Sequence, residues 1–108
     1  RVPVFYGHSE AVAIETREAI DVDQARALLE SAPGVEVVDR HEAGGYPTPV
    51  THASGTDPVY VGRIRQHLAH PRGLNLWIVS DNIRKGAALN AVQVAELVAA
   101  ELVAAEGR

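Results

Sequence analysis

The sequence predicts an α+β fold, a mostly antiparallel sheet with helices on one face that ends in a long helix. Three observations carry this. Short apolar, β-prone or alternating runs lie around Val12, Val35, Val59 and Leu76. A short amphipathic segment follows Asp21, and a long Ala-, Leu-, Val-, Glu- and Gln-rich segment follows Ile83. The strands are grouped rather than strictly alternating with helices, which favours segregated helices over a doubly wound sheet.

The elements follow in order. Arg1 to Tyr6 is an apolar, β-prone run that Gly7 breaks, and Ala11 to Thr16 alternates with Val12 and Ile14 on one side. These are two strands, or one strand bent at Gly7. Asp21 to Ser31 reads as a helix, with Asp21 as N-cap and Gln24 completing a capping box. Val22, Ala25, Leu28 and Leu29 form its apolar face, and Pro33-Gly34 ends it. Val35 to Asp39 is a short strand. His41 to Pro58, with three glycines and three prolines, is a loop of the length usually reserved for function or docking. Val59 to Arg65 and Leu74 to Val79 form an antiparallel hairpin, with Gly62 disturbing the alternation. Ile83 to about Ala105 is the closing helix, with at least one face buried through Ala88, Val92, Leu97 and Val98. Gly86 within it calls for a close neighbour, and the helix is longer than so small a sheet needs.

Composition narrows the function. The chain has 108 residues, 10 Lys+Arg against 14 Asp+Glu and a net charge of −4. It is one domain or part of one. The negative balance argues against non-specific nucleic-acid binding. Charges and Asn interrupt every apolar stretch, so no membrane span is expected. No signal peptide is visible, and a cytoplasmic protein is expected. There is no Cys, hence no disulfide, thiolate ligand or thiol nucleophile within the chain. There is no Met either, and the chain opens on Arg1, so a substantial upstream segment is expected to be missing.

Two segments carry candidate chemistry. In RVPVFYGHSE, Arg1 offers a bidentate clamp for a carboxylate or phosphate. His8 is a candidate general base, since an imidazole titrates near neutral pH. From residue types alone, a solvated terminal Arg and a hydrogen-bonded strand-end His are the commoner outcomes. In SDNIRKGAALNAVQ, a strand meets a helix N-terminus, where Asn82, Arg84 and Lys85 can face an anion or simply cap the helix. The glycines there form neither a Walker loop nor a dinucleotide fingerprint. His41, His52, His67 and His70 lack metal-ligand spacing, so no metal site is expected. Arg63 and Arg65 share a strand face, as an anion patch, a subunit contact or a solvated surface. Leu76 and Trp77 belong to the core or an interface.

At these segments the sequence resembles the C-terminal part of aspartate-semialdehyde dehydrogenases. RVPVFYGHSEAVAIE is similar to the family stretch with a substrate-binding Arg and, seven residues later, a catalytic His. GLNLWIVSDNIRKGAALNAVQVAELV is similar to its closing strand and helix. GGYPTPV and VYVGRIR also match bacterial members in order and spacing. The resemblance covers roughly residues 1–103.

It implies the C-terminal portion of a catalytic and dimerisation domain over residues 1–108, within a glyceraldehyde-3-phosphate-dehydrogenase-like domain. The implied reaction converts aspartyl phosphate and NADPH to aspartate semialdehyde, phosphate and NADP through a Cys thioester, on the route to Lys, Met, Thr and Ile. By position Arg1 holds the substrate carboxylate, His8 is the acid/base, and Asn82 contacts NADP. The family's nucleophilic Cys, the Gln after it and the NADP-binding N-terminal domain all precede Arg1 in the family. The chain is therefore expected to be a fragment, inactive alone, whose partners are that missing segment and further copies in a homo-oligomer. The alternatives are a stand-alone α+β binding module and a related reductase such as N-acetylglutamyl-phosphate reductase.

Overall fold

The structure, a computed structural model, describes residues 1–106. Four strands form one mixed sheet in the order β1-β4-β3-β2. They are β1 (His8–Glu15), β2 (Val35–Val37), β3 (Val59–Gln66) and β4 (Gly73–Ser80). β4 pairs antiparallel with both β1 and β3, while β2 joins β3 in parallel. The expected β3–β4 hairpin is present.

Helix α1 (Val22–Ser31) crosses from the β1 edge to β2. Its start is the predicted capping box: the Gln24 N–H donates to Asp21 Oδ1 at 2.7 Å, and the Asp21 N–H donates to Gln24 Oε1 at 3.2 Å. Ala25 is buried from α1 against Val61, Ile64, Leu74 and Leu76, with Val22 and Leu29 packed at the margin. Leu28, expected on that face, points outward and is 61% exposed.

The other face of the sheet is covered by the long loop. Its centre is a π-helical turn, Pro49–Ala53, closed by five-residue hydrogen bonds from Ala53 N to Thr48 O and from Ser54 N to Pro49 O. Ala53 is buried against Tyr60 and Val79, and the Trp77 indole N–H donates to the Pro47 carbonyl at 2.8 Å. Both faces of β3 are therefore buried, and Tyr60 lies in the core.

Three expectations are corrected. Arg1 to Tyr6 is not a strand: β1 begins at His8, and Phe5 and Tyr6 project into solvent. Gly7 has φ +73, a left-handed turn that breaks extended pairing. The phase change in β3 is a bulge between Gly62 and Arg65, with Arg63 at φ 54. The closing helix starts as a π-helical turn, Arg84–Ala88, and continues as α2 (Leu89–Glu106). Its expected buried face is exposed: Val92, Leu97 and Val98 are all open. An added Cβ at Gly86 would meet only Asn82, at 3.8 Å, so no close neighbour explains that glycine among the described residues.

Arg84–Ala105 is, by length and composition alone, long and apolar enough to cross a membrane. Beyond Lys85 it is interrupted by Asn90 and Gln93 and by two charges, Glu96 and Glu101. Each would cost about 2.5–3.5 kcal/mol near a bilayer centre if it behaves like Asp on the insertion scale.

Candidate active site

The site gathers at the end of the sheet where β1 begins and β4 ends. Cross-strand pairing sets His8 opposite Ser80 and Glu10 opposite Ile78. Because side chains alternate, His8 and Glu10 project from the same face and Ser9 from the other. The His8 Nε2 and Glu10 Oε1 atoms lie 2.5 Å apart, both side chains being half-buried. The Glu10 carboxyl is held below the usual carboxylate range. The hydrogen bond from His8 is the main cause; desolvation opposes it, and positive charge at His8 and Arg1 reinforces it. Glu10 escaped the sequence reading, although His-x-Glu on a strand is the spacing that places two side chains on one face.

Gly7 explains how the loop reaches this corner. A Cβ there would sit 3.1 Å from Pro49 Cβ and 3.2 Å from the Ser80 carbonyl oxygen. Only a glycine fits both that space and the positive φ. The π-helical turn is thereby packed against Gly7, the residue before His8. Asp81 adds a second tie: its Oδ2 accepts the Gly55 N–H at 2.8 Å, while Oδ1 accepts from Ile83 N at 2.9 Å and Arg84 N at 3.1 Å.

These bonds revise the anion reading of the helix start. The Asp81 carboxylate already occupies two of the free N–H groups. The Arg84 guanidinium pairs with Asp57, and Lys85 Nζ donates to Gln93 Oε1 at 2.7 Å. A phosphate would have to displace these partners. Asn82 is different. It is exposed, immediately after the Asp81 cap, and its neutral amide suits a neutral hydrogen-bonding group better than a phosphate.

Elsewhere, Arg63 and Arg65 border an open cavity of about 490 Å³ with Arg40 and His41. The Arg63 backbone is fixed by Asp39, whose carboxylate accepts its N–H at 2.7 Å, the Ile64 N–H at 3.3 Å and the Arg26 guanidinium at 2.7 Å. His67 and His70 fold onto their own turn, where Nδ1 of each accepts a backbone N–H two residues on. Among the described residues, no three His, Cys, Asp or Glu side chains stand together to hold a metal ion.

Residues 1–85 match the family model described as semialdehyde dehydrogenase, dimerisation domain, and the chain belongs to that family. The relatives it matches are more specific. It is 60% identical over 103 residues to the aspartate-semialdehyde dehydrogenase of Legionella pneumophila, covering 95% of this chain and 30% of the relative. It is 57% identical over 98 residues to that of Shewanella violacea, covering 91% and 28%. Among solved structures it is similar to aspartate semialdehyde dehydrogenase II from Vibrio cholerae complexed with ASA. The TM-score is 0.82 at 52% identity, covering 92% of this chain and 29% of that one. The chain thus spans under a third of the length of the relatives it matches.

Proposed function

We propose that this chain is the acid/base and substrate-clamping segment of an aspartate-semialdehyde dehydrogenase. The observation that carries the reading is convergence. Three of the four segments that resemble the family, around His8, Pro49 and Ser80–Asn82, meet at one end of the sheet.

On this reading Arg1 binds the carboxylate of aspartyl phosphate or aspartate semialdehyde through its planar guanidinium. His8 takes the proton of a cysteine thiol supplied from outside these 108 residues, since the chain holds no Cys and the thiolate is the nucleophile. His8 then returns a proton as the tetrahedral species collapses. When bound, NADPH supplies the hydride. Asn82 contributes one neutral hydrogen bond to its nicotinamide or ribose, and the remaining cofactor contacts belong to an N-terminal domain outside this chain. The whole enzyme is a cytoplasmic homo-oligomer assembled through this domain, and the 108 residues alone do not turn over.

A chimera tests this. The matching C-terminal segment of the Vibrio cholerae enzyme is replaced by this chain, and phosphate-dependent NADP reduction by aspartate semialdehyde is measured. The chimera is expected to be active. His8→Ala should lower kcat by about 10²–10⁴-fold, and Arg1→Lys should chiefly raise KM for the semialdehyde. An active chimera indifferent to both substitutions overturns the reading.

A further inference from the structure

We propose that Glu10 is the positioning residue for His8, fixing the proton on Nε2 so that Nδ1 is left as the atom that accepts the thiol proton; this rests on the function proposed above. Among the described residues, the His8 ring makes one hydrogen bond, through Nε2 to Glu10 Oε1 at 2.5 Å. A carboxylate has no proton to give, so it accepts, and the neutral ring must then carry its hydrogen on Nε2. Nδ1 keeps the lone pair. It takes the S–H proton as the thiolate forms, and the resulting imidazolium faces the Glu10 carboxylate, which balances its charge. The same proton leaves Nδ1 later, so Glu10 itself is never protonated.

The surroundings make this pairing specific. Opposite Glu10 on β4 stands Ile78, a partly buried apolar side chain packed on the core that offers no competing donor. Ser9 points through the sheet to the other face, where it is fully buried, and cannot intervene. Arg1 affects the Glu10 carboxyl by charge, with no hydrogen bond to it among the described residues. The carboxyl is held below the usual range, so it is ionised wherever a histidine base works. The pair is also too open for a structural role to dominate, with side-chain exposures of 31% and 42%.

The test has two readouts. ¹⁵N NMR of the 108-residue chain reads the His8 tautomer at a pH where the ring is neutral. Wild type and Glu10→Gln, which keeps an acceptor oxygen, should show the Nε2–H form; Glu10→Ala should lose that preference. An unchanged tautomer in Glu10→Ala overturns the proposal. In the chimera, Glu10→Ala should lower kcat by about 10- to 100-fold with KM within about two-fold, and Glu10→Gln should recover part of it. An unchanged kcat in Glu10→Ala also overturns it. If the parent chimera is inactive, the function reading fails on its own and the tautomer measurement decides whether Glu10 orients His8.

Discussion

Asp81 accepts the backbone N–H of Gly55, 26 residues earlier in the chain, at 2.8 Å through Oδ2, while its Oδ1 caps the closing helix. One carboxylate therefore ties the long loop to the helix start, and the Arg84–Asp57 ion pair runs beside it. Asp81→Ala should loosen the loop from the helix and lower Tm by a few degrees. Hydrogen exchange should speed at Gly55, Ile83 and Arg84 while β3 and β4 stay protected. Unchanged exchange at Gly55 would show that the tie carries nothing.

The same carboxylate makes a pH prediction. Its pKa is lowered in the fold, first by the Gly55 N–H and then by that of Arg84, with smaller help from the Ile83 N–H and the Arg84 charge against desolvation. A carboxyl depressed on folding adds stability that is present above its unfolded value of about 3.9 and is lost as pH falls through the folded one. Wild-type Tm should therefore fall more steeply below about pH 4 than that of Asp81→Asn. Parallel acid profiles for the two proteins would contradict this.

Asp39 is the buried counterpart, its side chain 4% exposed and satisfied by Arg26, Arg63 N and Ile64 N. Those bonds hold Arg63 in the left-handed region, which a bulky residue rarely adopts. Asp39→Ala leaves two backbone donors without their acceptor and the partly buried Arg26 guanidinium with only the Asp39 carbonyl, at 3.3 Å. It should cost about 3 kcal/mol in urea unfolding. Arg63→Gly should recover part of that loss by relieving the backbone. A cost below about 1 kcal/mol would mean that water replaces the carboxylate at the bulge.

Much of this was legible in residue order. The Asp21/Gln24 box, the β3–β4 hairpin and the Gly7 break each rest on local chemistry, and local chemistry is written in neighbouring residues. The burial of Tyr60 was not legible, because it comes from Ala53, brought over by a π-helical turn that no periodicity announces. The Arg1–Tyr6 run looked like a strand because β propensity ignores whether a partner strand exists. Glu10 was missed for a different reason. The seven-residue spacing from Arg1 to His8 belongs to the family motif, while the two-residue spacing to Glu10 is the one that strand geometry converts into contact.

Ser9 offers a test of the opposite sign. Its hydroxyl is fully buried and has no hydrogen-bond partner among the described residues. A buried, unsatisfied hydroxyl is costly, whereas its removal leaves a methyl that suits the apolar neighbourhood of Val79. Ser9→Ala should be neutral or should stabilise the chain by up to about 1 kcal/mol. A loss above about 1 kcal/mol would reveal a partner for that oxygen, such as a trapped water.

The closing helix gives the last prediction. Along α2 apolar residues occupy every direction around the axis, with Val92, Val94, Leu97, Val98, Leu102 and Val103 all open to solvent. A helix that is apolar all round is ordinarily enclosed by protein or lipid. Within these 108 residues it packs chiefly against its own first turn. Leu97→Glu should therefore change the unfolding free energy of the sheet by less than about 0.5 kcal/mol, because Leu97 is 68% exposed and touches none of its core. It should, however, reduce self-association of the chain in sedimentation velocity. In the Vibrio cholerae chimera, the same substitution buries a charge if the rest of the enzyme covers the helix, and Tm should fall sharply. Equal Tm values for the parent and substituted chimeras would mean that α2 stays open to water in the assembled enzyme.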